Sequence, residues 1–276
     1  MPRRLRLDAE LVRRGLARSR EHAAELVAAG RVKVGGGIAG KPATGVGTDA
    51  AIVVLEDPER ADYVSRGGHK LAGALTAFTG LRVSGRRCLD AGASTGGFTD
   101  VLLRNGAREV VAVDVGYGQL AWSVRQDPRV RVHERTNVRT LGADAIGGPV
   151  DLVVGDLSFI SLTLVLEALT SVTVPDGDLA LMVKPQFEVG KERVGKGGVV
   201  RDPGLRTEAV RTVADAAARL GWGAQQVATS PLPGPSGNVE FFLWLRRAEP
   251  RLSPEQIEAE VRRGSVAGAP DEKVGP

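Results

Sequence analysis

Between residues 67 and 245 short apolar runs alternate with longer stretches of mixed polarity. The runs predict strands over 87–90, 110–114, 130–133, 151–155, 179–183, 225–229 and 239–245. The stretches between them predict helices around 67–79, 98–105, 118–126, 159–170 and 204–220. Such alternation implies a doubly wound α/β fold. Asp151-Leu-Val-Val154 and Leu179-Ala-Leu-Met-Val183 are apolar almost throughout, as parallel strands covered on both faces must be. The final strand follows the turn Pro231-Leu-Pro-Gly-Pro-Ser-Gly237, and an antiparallel entry fits that turn.

Residues 1–60 follow a different pattern. Asp8 is placed to cap a short helix closed by Gly15, and Ser19 a second helix closed by Gly30, with Ala23, Leu26 and Val27 on its apolar side. Strands over 32–34 and 51–55 flank a glycine-rich turn at 35–40. The expected organisation is a small α+β domain over 1–60, a polar linker over 61–66, a large α/β domain over 67–248 and a tail over 249–276. The tail's Pro, Gly and charged residues predict disorder after a short helix at 254–263.

Charge sharpens this picture. The chain of 276 residues carries a net charge of +4, yet residues 1–33 alone hold nine arginines and lysines against four acids. Arginine predominates, and its planar fork suits bidentate contacts to phosphate, so the small domain reads as a nucleic-acid-binding module. Cys88 is the only cysteine, which rules out an intrachain disulfide and fits a reducing, cytoplasmic setting. It reads as a small buried hydrophobe. The three histidines lack metal-ligand spacing, and no metal is expected. The longest span-like stretch, residues 157–175, carries Glu167 at its centre, so no membrane partner is expected.

The candidate chemistry centres on Cys88-Leu-Asp-Ala-Gly-Ala-Ser-Thr-Gly-Gly-Phe-Thr99. It reads as a strand ending at Asp90, a glycine turn through Gly92, Ala93, Ser94, Gly96 and Gly97, and a helix starting near Phe98. A second strand ends at Asp114, followed by Val115. The spacing breaks the G-x-G-x-x-G pattern of dinucleotide sites, and Asp90 would repel a pyrophosphate. An acid there suits a ligand with a cationic end and no phosphate. S-adenosyl-L-methionine is such a ligand, with Asp114 accepting from its ribose hydroxyls.

Asp156 and Lys184 follow strands where open α/β sheets bind ligands, and Glu240 reaches the same edge if its strand is antiparallel. Lys70 lies on the first helix of the large domain. Methyl transfer to an alcohol removes the alcohol's proton as the oxygen attacks. A lysine takes that proton only if its pKa falls well below about 10.4, which a neighbouring lysine and burial favour. Lys184 is the candidate base, and Lys70 orients the hydroxyl.

The order Lys70, Asp156, Lys184, Glu240 resembles the K-D-K-E tetrad of FtsJ/RrmJ-class ribose 2′-O-methyltransferases. Nearly the whole chain except the tail resembles the TlyA family of bacterial 16S/23S rRNA (cytidine-2′-O)-methyltransferases, often labelled haemolysins. The resemblance is carried by the arginine-rich residues 3–20, Ser65-Arg-Gly-Gly-His-Lys70, residues 90–98, Asp114-Val-Gly-Tyr-Gly-Gln-Leu-Ala-Trp122, Asp156-Leu-Ser-Phe-Ile-Ser161, Lys184-Pro-Gln-Phe-Glu188 and residues 230–240. It implies a Rossmann-like class I methyltransferase domain with a seven-stranded, mostly parallel sheet, and a ribosomal-protein-like RNA-binding domain before it. It also implies rRNA in the 30S and 50S ribosomal subunits as partner. By matching position, Arg4, Arg6, Arg18, Arg20, Lys41, Lys191 and Lys196 become candidate RNA contacts, and Phe159 and Ser236 candidate pocket residues. Where the family has Arg-Ala-Trp-Val, this chain has Arg60-Ala-Asp-Tyr-Val64, one residue longer. Gly190-Lys-Glu-Arg-Val-Gly-Lys-Gly-Gly-Val-Val200 reads either as a flexible surface loop or as a substrate loop. It lacks the Ser or Thr of a P-loop. Two other classes stay open: a non-catalytic RNA-binding assembly factor, against which the intact tetrad argues, and a membrane-active haemolysin. The exact nucleotide and the oligomeric state are not legible.

Overall fold

The apolar runs form the centre of a seven-stranded sheet. A computed structural model describes residues 4–17, 19–55 and 62–267, which fall into two compact units, Met1–Asp62 and Tyr63–Pro276.

The smaller unit begins with strand β1 (Arg4–Arg6), helix α1 (Leu7–Arg13) and helix α2 (Arg20–Ala28). Strands β2 (Val32–Val34), β3 (Gly37–Ile38), β4 (Gly45–Gly47) and β5 (Ile52–Val54) follow. Antiparallel β1–β4 and β3–β2–β5 sheets enclose a small core of Leu7, Leu11, Ala23, Leu26, Val27, Val32 and Val46. Ser19 caps α2 as expected, its Oγ accepting from His22 N at 3.1 Å. Asp8 does not cap α1. Arg6 stands at that position, and Asp8 lies inside the first turn.

The larger unit runs α3 (Gly67–Ala77), β6 (Arg87–Ala91), α4 (Gly97–Arg104), β7 (Glu109–Val113), α5 (Trp122–Arg125), β8 (Val130–His133), β9 (Val150–Gly155) and α6 (Leu166–Ser171). It continues through β10 (Thr173–Val183), α7 (Pro185–Glu188), α8 (Pro203–Arg219), β11 (Gly223–Thr229), β12 (Phe241–Arg246) and α9 (Pro254–Ala267). The sheet order is β11-β12-β10-β9-β6-β7-β8, parallel from β10 to β8, with β12 antiparallel to both neighbours. This is the mostly parallel seven-stranded sheet expected. Alternation within strands explains the unbroken apolar runs. On β9, Leu152 and Val154 join the core on one face with Phe98, Leu102 and Phe242. Val153 joins the other, with Val210, Val213 and Leu243.

Four expectations need correction. The helix expected over 159–170 is a short turn at 162–164 followed by α6, because Phe159 sits at φ 63°, in the left-handed region a helix excludes. The helix expected over 118–126 shrinks to α5. The tail is ordered as far as it is described: α9 runs to Ala267, with Ile257 and Val261 buried in the core beside α8. Residues 268–276 lie outside the described residues, as do 56–60 of the expected small domain and 61 of the expected linker. Tyr63–Arg66 is not linker but part of the larger unit. Val64 N donates to Asp100 Oδ2 at 3.0 Å, and Tyr63 packs against His69 and the Arg104 guanidinium. Burial pushes the Cys88 thiol up to about 12, in keeping with a packing role.

Candidate active site

The glycine turn after β6 builds the first wall of a cleft. Gly92 and Gly96 take φ of 86° and 93°, open to glycine at no steric cost. Gly97 starts α4 so close to α3 that a Cβ there would lie 2.8 Å from Gly68 N. Two helix starts therefore meet at the cleft. Its lining comprises Ser65, Arg66, Gly67, Lys70, Gly92, Ala93, Ser94, Thr95, Gly97, Phe98 and Asp156, closed by Pro233 and Pro235. A second, smaller recess continues from Ala93 and Ser94 to Asp114, Gly116, Gln119 and Glu134. The Asp114 carboxylate accepts from Ser94 N at 2.8 Å and Gly116 N at 2.6 Å, which fixes it beside the turn.

Asp90 lies one residue before the end of β6, and it does not line the cleft. Its carboxyl is fully buried behind the turn. Oδ2 accepts from Thr99 Oγ1 at 2.6 Å, while Oδ1 has no hydrogen-bond partner among the described residues. Burial pushes its pKa up to about 7, against the Thr99 hydrogen bond, and the charges of Asp156 and Asp114 push the same way. Three carboxylates thus crowd one glycine turn, a field that favours a cation.

The four candidate positions form two ion pairs, Lys70–Glu240 buried and Lys184–Asp156 with its acid part-exposed. Lys70 Nζ on α3 lies 2.5 Å from Glu240 Oε2, just before β12, and 3.9 Å from Met182 Sδ. Gly234 leaves room for that carboxylate, since a Cβ there would meet Glu240 Oε1 at 2.5 Å. Lys184 Nζ, at the end of β10, lies 2.6 Å from Asp156 Oδ1 and donates to Ser158 Oγ at 2.7 Å. The Asp156 contact is a charge pair without hydrogen-bond geometry, which leaves Oδ1 lacking a donor. Antiparallel entry of β12 is what brings Glu240 to the edge where the parallel strands end.

Other expected residues are spread more widely. Gly96 is buried against Leu120 and Val124 rather than lining the cleft. Val115 is exposed, and so is Ser236. Phe159 is 91% exposed, its ring 5.3 Å from that of Phe187. In the smaller unit Arg4 and Lys41 are exposed on the surface, and Arg18 lies outside the described residues. Arg6 and Arg20 both pair with Asp8. Lys191 and Lys196 are exposed on the 190–200 loop of the larger unit. That loop is pinned: Asn238 accepts from Val200 N at 2.9 Å and donates to Gly198 O at 2.8 Å.

Several participants carry no signal that composition or spacing could reveal. Ser158 engages Lys184, and Gln186 Nε2 reaches Glu240 Oε1 at 3.4 Å. Glu188 joins the segment after Lys184 to the segment after Asp156 by accepting from Ser161 Oγ at 2.5 Å and Leu162 N at 2.8 Å, and burial raises its pKa. Among the described residues no helix is long and apolar enough to cross a membrane.

Comparison with known proteins agrees with this division. Residues 63–247 match the FtsJ-like methyltransferase family, and residues 5–52 match the S4 domain. The chain is 62% identical to the 16S/23S rRNA (cytidine-2′-O)-methyltransferase TlyA of Mycobacterium tuberculosis, over 97% of this chain and all of that one. It is 37% identical to the 23S rRNA (cytidine-2′-O)-methyltransferase TlyA of Campylobacter jejuni, over 66% of this chain and 70% of the relative. A solved Streptococcus thermophilus protein, described only provisionally as a hemolysin, superposes with a TM-score of 0.74 at 38% identity, covering 97% of both chains.

Proposed function

The chain belongs to the TlyA family of FtsJ-like rRNA (cytidine-2′-O)-methyltransferases, and from that premise we propose its donor, substrate and catalytic residues. The donor is S-adenosyl-L-methionine, and the acceptor is the ribose 2′-oxygen of cytidines in 16S and 23S rRNA, presented within the 30S and 50S subunits in the cytoplasm. The observation that carries the reading is that Lys70 and Asp156, one member of each ion pair, both face the cleft beside the glycine turn.

The residues fit the donor. The Asp156 carboxylate in the cleft, with Asp90 buried behind the turn and Asp114 beside it, makes a negative field that suits an ammonium and a sulfonium. The turn residues Gly92, Ala93, Ser94, Gly97 and Phe98 hold its length, and Asp114 takes its ribose hydroxyls. Bound there, it supplies an electrophilic methyl group.

The protein's own part is to position the acceptor and move one proton. A free lysine amine has two N–H bonds and one lone pair. At Lys184, Ser158 accepts one N–H bond and the Asp156 carboxylate lies beside the amine as its charge partner. These two contacts hold the amine in place, and its lone pair receives the 2′-hydroxyl proton. Lys70, held by Glu240, polarises the hydroxyl oxygen and steadies the charge that develops on it. As the oxygen–carbon bond forms and the sulfur–carbon bond breaks, the proton passes to Lys184 Nζ.

Ser158→Ala removes one of the two amine anchors. It should lower kcat by about tenfold to a hundredfold with KM for donor and RNA unchanged, as measured by steady-state methyl transfer. A change confined to KM would assign Ser158 to binding instead.

The test of substrate is transfer of labelled methyl from the donor to purified, unmodified 30S and 50S subunits. Label on both is expected. Label on 50S alone would restrict the scope to 23S rRNA, and label on neither, with donor binding demonstrated, would overturn the ribosomal assignment.

A further inference from the structure

Resting on the RNA-binding reading of the smaller unit, we propose that the buried acid Asp8 is a positioning residue for RNA, holding Arg6 and Arg20 together as one clamp for a single phosphate. On charge alone an acid in an RNA-binding face weakens binding, so this assigns Asp8 a role opposite in sign to its charge.

The geometry is specific. Arg6 lies at the end of β1 and Arg20 at the start of α2, and they meet on one carboxylate. Arg6 donates through Nε to Asp8 Oδ1 at 3.1 Å and through Nη2 to Oδ2 at 2.8 Å. Arg20 donates through Nη2 to the same Oδ2 at 3.0 Å. Two guanidinium nitrogens from separate elements thus lie within about 6 Å of each other, each 3.0 Å or less from that oxygen. Like charges so close repel. The carboxylate between them offsets that repulsion and sets both planes.

Burial makes Asp8 a fixed post. Its side chain is 6% exposed, whereas those of Arg6 and Arg20 are 53% and 59% exposed. Oδ1 also accepts from Ala9 N at 2.7 Å, in the first turn of α1, where the helix dipole favours an anion. The Arg6 hydrogen bonds hold the carboxyl well below the usual carboxylate range, so the post stays charged. Arg6 gives Asp8 its Nε and Nη2 and Arg20 only its Nη2, so other N–H groups of both exposed guanidiniums are left for a ligand, and guanidinium groups match phosphate oxygens bidentately. Prepaid ordering of two long side chains is what converts surface arginines into a receptor.

The experiment measures binding of the full chain to unmodified 16S and 23S rRNA transcripts at several salt concentrations. Four proteins are compared: wild type, Asp8→Asn, the double variant Arg6→Ala/Arg20→Ala, and the triple variant. Asp8→Asn adds one net positive charge, so charge alone predicts tighter binding. The clamp predicts binding weaker by about fivefold to tenfold, and no further loss when Asp8→Asn is added to the double variant. Tighter or unchanged binding by a folded Asp8→Asn protein overturns the clamp. A double variant that binds as wild type overturns the RNA reading of these arginines instead, so the two failures are distinguishable. If Asp8→Asn unfolds the unit, Arg20→Lys decides. It keeps the charge but lacks the fork, and the clamp predicts a loss close to that of Arg20→Ala. Wild-type affinity would overturn it.

Discussion

Lys184→Ala should reduce single-turnover methyl transfer by about 100- to 10,000-fold, the range a general base contributes, while donor and RNA affinity stay within about twofold. The side chain is buried just beyond β10, and its amine contacts Asp156, which lines the cleft, and Ser158. Alanine would leave Asp156 without its cation, so a melting curve must accompany the assay. Removing one partner of a fully buried pair destabilises by about 3–5 kcal/mol, and the loss here should be smaller because the Asp156 carboxylate is part-exposed. Lys184→Arg separates charge from proton transfer. Arginine keeps the cation but does not give up its proton, so it should be as inactive as alanine. Activity above about a tenth of wild type in Lys184→Arg would show that the residue works as a cation, and the base would have to lie elsewhere.

Asp90→Asn should be more stable than the parent above pH 7 and lose much of the parent's pH dependence of stability. The folded Asp90 carboxyl is pushed from 3.8 up to about 7, so between those values the folded state holds a proton that the unfolded state has released. Stability therefore falls as pH rises from about 4 to about 7 and is flat beyond, a change on the order of 4 kcal/mol from this one buried group. Asparagine can still accept from Thr99 Oγ1. Urea denaturation of both proteins at pH 5 and pH 8 measures the difference directly, and parallel pH profiles would show that Asp90 ionises normally in the fold.

The sheet was legible because strands buried on both faces must be apolar at every position, as in Leu179-Ala-Leu-Met-Val183. The tetrad was legible for a related reason. Charged residues directly after such strands, Asp156 and Lys184, have few roles other than at the ligand edge. What escaped were features set by tertiary contact. A serine two residues beyond Asp156 is an ordinary loop residue until Lys184 arrives from β10, and Asp8 reads as a helix cap until Arg20 reaches it from α2. Phe159 lay in an apolar stretch that suits a helix, and nothing in its residue type announces a left-handed backbone. In the tail a short helix was expected but not its packing: Ile257 and Val261 carry the four-residue spacing of a buried stripe, set among charged residues.

The measurement that bears most directly on the central claim locates the transferred methyl group within the nucleotide. Labelled rRNA from the transfer reaction is hydrolysed in alkali, which cleaves only where a free 2′-hydroxyl is present. The account predicts label in an alkali-stable dinucleotide whose first residue is cytidine, and none after Lys184→Ala. Label recovered in a mononucleotide carrying a methylated base would contradict ribose 2′-O-methylation and the roles assigned to both lysines.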